Sequence, residues 1–109
     1  MAYDEELAQI MRDEFASLEG ITEKKMFGGP YFLLNGNMVS GVTKEGGMAR
    51  VGKAQGARAL VTMGTAPAFR TGKELNGMVA MDDELMADEA RRKRLLGMAL
   101  EFAQSLPPK

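Results

Sequence analysis

The chain has 109 residues, enough for one domain, and 45% of them are hydrophobic, so a core can form without disulfides or metals. Cysteine and histidine are both absent, which excludes thiolate metal sites and removes the most common general base at neutral pH. A net charge of −1 argues against a protein that coats nucleic acid. With no basic signal region and no apolar run near the roughly 20 residues that span a bilayer, the chain is expected to be cytoplasmic, without membrane contact.

The first predicted element is an amphipathic helix over residues 4–18. Asp4 is placed to cap its N-terminus and Gly20 to end it. Apolar residues recur at intervals of three and four and share one face: Leu7, Ile10, Met11, Phe15 and Leu18.

A strand region punctuated by glycines follows. Residues 22–34 are predicted as an extended stretch that Gly28-Gly29-Pro30 interrupts as an edge, a bulge or a turn. Asn35-Gly36 predicts a tight hairpin turn, because both residues tolerate positive φ. With return strands over 37–43 and 48–51, these segments predict a three-stranded antiparallel meander.

The second half of the chain is predicted to hold two helices around a pair of strands. A short helix over 53–61 would turn Ala57, Leu60 and Val61 inward. Strands over 66–70 and 76–81 follow, and a last helix runs from about 88 to 106, where two prolines stop it. The order helix, three strands, helix, two strands, helix predicts a two-layer α+β domain with an antiparallel sheet, covering residues 1–109.

Five segments together carry a family pattern: Met1-Ala2-Tyr3-Asp4, Lys24-Lys25-Met26-Phe27-Gly28-Gly29, Asn35-Gly36-Asn37-Met38, Arg50-Val51-Gly52 and Ser105-Leu106-Pro107-Pro108. This pattern resembles the N-terminal domain of the TfoX/Sxy competence regulators over essentially the whole chain. The resemblance implies an antiparallel sheet layered with helices, as also seen in proteins like the type III secretion chaperones. The better-known relatives activate DNA-uptake genes with the cyclic-AMP receptor protein and carry a second, helical domain. The resemblance therefore implies an accessory role in transcription or competence for a stand-alone N-terminal domain.

The Lys-Lys-Met-Phe-Gly-Gly block is the sharpest candidate binding site. Gly28 and Gly29 would let a partner approach the backbone closely, and Lys24 or Lys25 would supply charge. In the structural interpretation, the block is a strand end with Met26 and Phe27 in the core. Arg50 is a further candidate, either as an anion anchor or in a structural pair with Glu23 or another acid.

The only basic run is Arg91-Arg92-Lys93-Arg94. Four consecutive helical residues fan around most of the helix, and Asp88 and Glu89 stand four residues before Arg92 and Lys93. This pattern favours a self-paired, solvated face. The alternative is a DNA contact through Arg91, Lys93 and Arg94.

Enzyme motifs fail on inspection. Gly72-Lys73 precedes Glu74, where a phosphate-binding loop needs Ser or Thr, and no histidine can activate a serine. We expect no catalysis, no cofactor and no metal.

The leading hypothesis is an interaction domain whose partner is another protein or a second copy (a possible homodimer), bound at a sheet edge or near Gly28-Gly29. The alternatives are a small-molecule or anion site using Arg50 with Lys24 or Lys25, and direct DNA binding through the last helix.

Overall fold

A computed structural model describes residues 4–26, 28–70 and 72–109 of the chain. Over these ranges it contains six strands: β1 (Ile21–Met26), β2 (Gly29–Leu34), β3 (Asn37–Thr43), β4 (Gly46–Arg50), β5 (Thr65–Arg70) and β6 (Lys73–Met81). The same ranges contain four α-helices: α1 (Glu5–Glu14), α2 (Gly56–Leu60), α3 (Asp83–Ala87) and α4 (Glu89–Gln104). A 3₁₀ helix, Lys53–Gln55, leads into α2.

All neighbouring strands run antiparallel in one sheet with the order β1-β2-β3-β4-β6-β5, which confirms the α+β class. The first four strands form a meander, one strand longer than predicted. The break after β1 is a turn, because the ladder closes on the pair Met26–Gly29. The hairpin between β2 and β3 confirms the Asn35-Gly36 prediction, with φ of 50° and 87° at these residues.

The core lies between one face of the sheet and the helices. Phe32, Ser40, Ala49 and Val79 are paired in one row across four strands and mark the helix-covered face. One cluster of buried side chains joins this face to all four helices of the described ranges. Phe15, directly after α1, packs its ring 5.5 Å from that of Phe32, while the Ser40 hydroxyl donates to Sδ of Met11 on α1 at 3.0 Å.

The first helix is shorter than predicted. Asp4 does cap it, accepting a hydrogen bond from Glu6 N at 2.9 Å, but regular helix ends at Glu14. Residues 15–18 continue as tight turns, and Leu18, expected in the core, is exposed. Gly20 has a φ of 83° and accepts a bond from Asn35 N, so it serves the entry into β1 rather than the end of the helix.

The inward face predicted for the second helix is wrong. Ala59 is buried there, whereas Ala57, Leu60 and Val61 are exposed. The segment begins with a 3₁₀ turn of about three residues, which shifts the phase of every later side chain relative to a continuous helix of 3.6 residues per turn. The short helix α3 was not expected, and Asp82 caps it by accepting a bond from Leu85 N at 2.8 Å.

Candidate functional site

The second face of the sheet, which we call the open face, carries a groove of about 720 Å³. A row of paired residues, Tyr31, Gly41, Met48 and Ala80, crosses β2, β3, β4 and β6 on this face. Half-buried methionines and residues of the β5–β6 hairpin form much of the remaining apolar lining: Met38, Met78, Pro67, Phe69 and Leu75. The polar residues Thr43, Lys44 and Glu45 border the groove.

The floor of the groove is formed where the Tyr31 side chain packs closely over Gly41. The Tyr31 ring lies so near Gly41 that a Cβ there would be 2.4 Å from ring carbon Cδ2. Tyr31 is consequently 2% exposed although none of the helices in the described ranges covers this face. The groove is therefore shaped by a rigid backbone below and by adaptable methionine side chains around it.

The structure separates the members of the Lys-Lys-Met-Phe-Gly-Gly block. Lys24 and Lys25 are exposed on β1, at the edge of the sheet, and Met26 is half-buried. Gly28 has a φ of 87° in the turn and lines the groove. Gly29 is buried within β2. Phe27 lies outside the described residues.

Arg50 is half-buried near the end of β4, with its guanidinium carbon 5.2 Å from the centre of the Phe102 ring. Its expected partner Glu23 is instead held by Arg12, whose Nε and Nη2 both donate to the carboxylate at 2.7 Å. These bonds lower the pKa of Glu23 despite a smaller opposing effect of burial.

Arg50 and the two lysines of β1 are not brought together. β2 and β3 lie between β1 and β4, which separates the strands by about 14 Å at 4.8 Å per strand. Neither Arg50 nor the two lysines line the groove.

The basic run of α4 divides between two neighbours. Arg92 and Lys93 reach Glu14 of α1 with N–O distances of 3.0 and 2.9 Å. Arg91 pairs with Asp88 at 3.1 Å and donates to the Met63 carbonyl, and Arg94 donates to the Thr62 hydroxyl. One ion pair forms between the basic run and an acid at the start of its own helix, Arg91 with Asp88. The predicted partners of Arg92 and Lys93, Asp88 and Glu89, are wrong, because both cations pair with Glu14 of α1.

The ion pair at Glu14 links the first and last helices. Burial raises the pKa of the Glu14 carboxyl, but hydrogen bonds from Lys93 and Arg92 and their charges outweigh it, so the net pKa is lowered. Asp88, which caps α4, also has a lowered pKa, chiefly because the backbone and side chain of Arg91 donate to it. The cations predicted for DNA are thus engaged within the fold, and Lys93 points to a different neighbour from Arg91 and Arg94.

Within the described ranges, no group of three or more acidic side chains is placed to hold a metal ion. None of the helices in those ranges has both the length and the apolar character needed to cross a bilayer.

Reasoning from the sequence placed a binding site near Gly28-Gly29, and Gly28 lines the groove, but the rest of the lining was not predicted. Period-two alternation places Met48 and Arg50 on one face of β4, but it does not show whether helices cover that face. One signal could have revealed the groove. The predicted strands carry apolar residues on both faces of the sheet, and the predicted helices are too few to cover both.

The fold and groove define a small α+β domain with a concave apolar sheet face and no assembled catalytic group among its described residues. Residues 13–103 match the family model of the TfoX N-terminal domain. The chain therefore belongs to this family, which confirms the resemblance carried by its motifs. No curated protein and no solved structure matches the chain.

Proposed function

We propose that this TfoX N-terminal domain is a non-enzymatic interaction module that binds a polypeptide partner in the groove of the open face. The observation that carries the proposal is the apolar groove of about 720 Å³ on the sheet face that the helices leave uncovered. That volume lies within the range of about 300–1,000 Å³ typical of ligand sites. By family membership, the interaction would serve a regulator of transcription or competence.

The lining of the groove favours a polypeptide over a small polar substrate. Methionine side chains such as Met38, Met48 and Met78 adapt to different apolar shapes and recur on surfaces that bind peptides. Strand β1 provides an exposed edge beside Gly28, where an added strand would gain main-chain hydrogen bonds. The opposite edge, β5, contains Pro67, which lacks a backbone donor.

The polar groups around the groove support binding rather than catalysis. Thr43 accepts a bond from Glu45 N at 3.1 Å and donates to Gly46 O at 3.3 Å, so its hydroxyl holds the β3–β4 turn. Lys44 and Glu45 are exposed at the rim. A nucleophile needs a neighbouring base to act, and these groups provide no such arrangement.

The test is a selection of random displayed peptides on the purified domain, followed by binding to Met48→Glu and Met78→Glu. Both substitutions place a charge in the groove, so we expect peptide affinity to fall at least about tenfold. Leu18→Glu, at an exposed apolar site outside the groove, is the matched control. Sedimentation over a concentration series shows whether a second copy occupies the groove. Peptides that bind Met48→Glu as tightly as the unmodified domain would refute the proposal.

A second candidate function is anion binding at Arg50. None of the described acidic side chains forms an ion pair with it, and stacking on Phe102 leaves the edge of the guanidinium available for a carboxylate or phosphate. Titration of the domain with inorganic phosphate tests this function: binding should vanish in Arg50→Gln and persist in Lys24→Gln. Phosphate affinity that is equal in both variants would dismiss Arg50 as the anchor.

A further inference from the structure

Exposed apolar side chains and positive charge are concentrated in one stretch of the chain. Residues 46–73 contain five Lys or Arg and no Asp or Glu, although the whole protein has 15 acids and 14 bases. Among the described residues, five large hydrophobic side chains are exposed, and four of them belong to this stretch: Leu60, Val61, Met63 and Phe69. Phe69 also lines the groove, so Leu60, Val61 and Met63 are the exposed large apolar side chains of this stretch that the groove does not account for.

The centre of this surface is the turn after α2, residues 60–63, which we call the 60–63 turn. Val61 is 78% exposed and Met63 is 76% exposed, the highest values among the large apolar side chains described. Arg58 precedes Val61 by three residues in the helical turn and is therefore its neighbour on the surface. Arg94 reaches the same turn from α4, through its bond of 3.0 Å to the Thr62 hydroxyl.

Hydrogen bonds to its carbonyl groups hold the backbone of the turn. Thr62 N donates to Ala59 O at 3.1 Å, and the Thr65 hydroxyl donates to Thr62 O at 2.7 Å. Arg91 Nη1 donates to the carbonyl of Met63 at 3.0 Å. Because the backbone of the turn is already held, docking a partner here would order side chains but not the main chain, which reduces the entropic cost of binding.

We propose that the 60–63 turn, with Arg58 and Arg94 beside it, is a second docking surface, and that its partner is an acidic polypeptide segment carrying apolar side chains. The apolar residues of the partner would cover Val61 and Met63, and its carboxylates would pair with the two arginines. This surface is separate from the groove and does not depend on the proposed function.

Charges bordering the turn favour a polypeptide over a uniformly negative surface. Asp82 N donates to Gly64 O at 2.9 Å, immediately after the turn, and Asp88 is bonded to the same Arg91 that binds Met63 O. A DNA backbone or an anionic bilayer would bring its own negative charge against both aspartates. A polypeptide can place its acids opposite Arg58 and Arg94 alone. Exposed aliphatic side chains also gain nothing from the phosphates of DNA.

The experiment measures the binding of a fluorescein-labelled synthetic peptide of about 15 residues, or about four helical turns, in which Asp and Glu alternate with Leu and Phe. We expect it to bind the unmodified domain more tightly as salt is lowered. Affinity for the peptide should fall about tenfold in the double variant Val61→Ser with Met63→Ser, and by a similar factor in the separate variant Arg58→Glu. These positions are exposed, so the variants should keep the circular dichroism of the parent.

Matched controls separate this surface from the groove and from general charge effects. Leu18→Ser removes an exposed apolar side chain elsewhere, Lys109→Glu changes a distant charge, and Met48→Glu blocks the groove. All three should bind the peptide as the parent does, and a peptide with Ser in place of Leu and Phe should bind weakly. Loss of binding in Met48→Glu alone would reassign the peptide to the groove and overturn the second surface.

Two further probes distinguish other classes of partner. Phosphatidylglycerol vesicles and duplex DNA are titrated under the same conditions. If either binds more tightly than the peptide, and binding is lost in the Val61 and Met63 double variant, the surface serves a membrane or nucleic acid and the proposal is overturned. Absence of peptide binding, or equal binding to all variants, also overturns it.

Discussion

Gly29 lies so close to the neighbouring strand that a side chain would collide with it. A Cβ at this position would be 1.9 Å from the carbonyl oxygen of Val42. We predict that Gly29→Ala destabilises the domain by about 3 kcal/mol or more, because backbone cannot move aside as a flexible side chain can.

The adjacent Gly28 provides the control for this prediction. A Cβ there would meet none of the described residues within 4 Å, so Gly28→Ala should cost only the strain of its φ of 87°, about 1–2 kcal/mol. Urea denaturation of both variants measures the difference. Equal stability of the two variants would contradict the close approach of Gly29 to the Val42 carbonyl. The two glycines of the family block thus have different roles: the first shapes a turn and the second permits strand contact.

Glu14 is the residue through which α1 and α4 are joined by charge, since its side chain is 15% exposed and bonded to both Arg92 and Lys93. We predict that Glu14→Gln lowers the free energy of unfolding at pH 7 by about 1–2 kcal/mol. A carboxyl whose pKa is lowered by folding contributes stability above its unfolded pKa and loses it as pH falls through the folded pKa. The difference in the free energy of unfolding between parent and variant should therefore shrink as the pH falls below 4.5, the ordinary pKa of a glutamate carboxyl.

Thermal or urea unfolding between pH 3 and pH 7 checks the effect at Glu14. Glu23→Gln is the matched control, because the Arg12–Glu23 pair is more exposed and should contribute less than about 1 kcal/mol. A gap between Glu14→Gln and the parent that widens in acid would contradict the assigned ion pair.

At the scale of elements, the sequence predicted the features that local chemistry controls. The Asn35-Gly36 turn and the Asp4 cap both follow from the chemistry of single residues. Helix ends were less predictable: Leu18 fits the period of α1, yet its segment leaves the helix to reach β1. Secondary structure near such ends is decided by where the next strand must begin, which is a tertiary constraint.

Strand β3 is anchored at its start to the segment that follows α4. Asn37 is 2% exposed, and its Nδ2 donates to the carbonyl of Pro107 at 2.9 Å, while Lys109 N donates to Asn35 O at 2.8 Å. We predict that Asn37→Asp destabilises the domain by about 2 kcal/mol at pH 7, since it replaces the donor with a carboxylate facing a carbonyl.

The exposed Asn76→Asp on β6 makes the same chemical change without that contact and should be nearly neutral. Chemical denaturation compares the two variants, and acid should partly restore Asn37→Asp because a protonated carboxyl can donate again. Equal stabilities at pH 7 would show that the C-terminal segment contributes nothing to holding β3.

At the scale of the whole molecule, the candidate sites were the least predictable feature. Arg50 was grouped by chemistry with Lys24 or Lys25, but the sheet order places β2 and β3 between the lysines and the arginine. The groove and the 60–63 turn depend on which faces remain uncovered after packing. That property belongs to no single segment, so neither periodicity nor composition could reveal it.

The buried cluster joins all four helices of the described ranges to the sheet, and this predicts cooperative unfolding of residues 1–109 as one domain. Two probes report on opposite sides of the sheet. Far-ultraviolet circular dichroism follows mainly the helices, and tyrosine fluorescence in a Tyr3→Phe variant follows Tyr31, which is buried under the open face. We expect the two urea transitions to coincide, with a slope of about 1–3 kcal/mol per molar urea.

A tyrosine transition at lower urea would mean that the outer strands unfold separately, and the single-domain prediction would then be wrong. Coincident transitions would instead mean that the groove is formed only when the helices are packed behind it, so that partner binding at the open face would stabilise the whole fold.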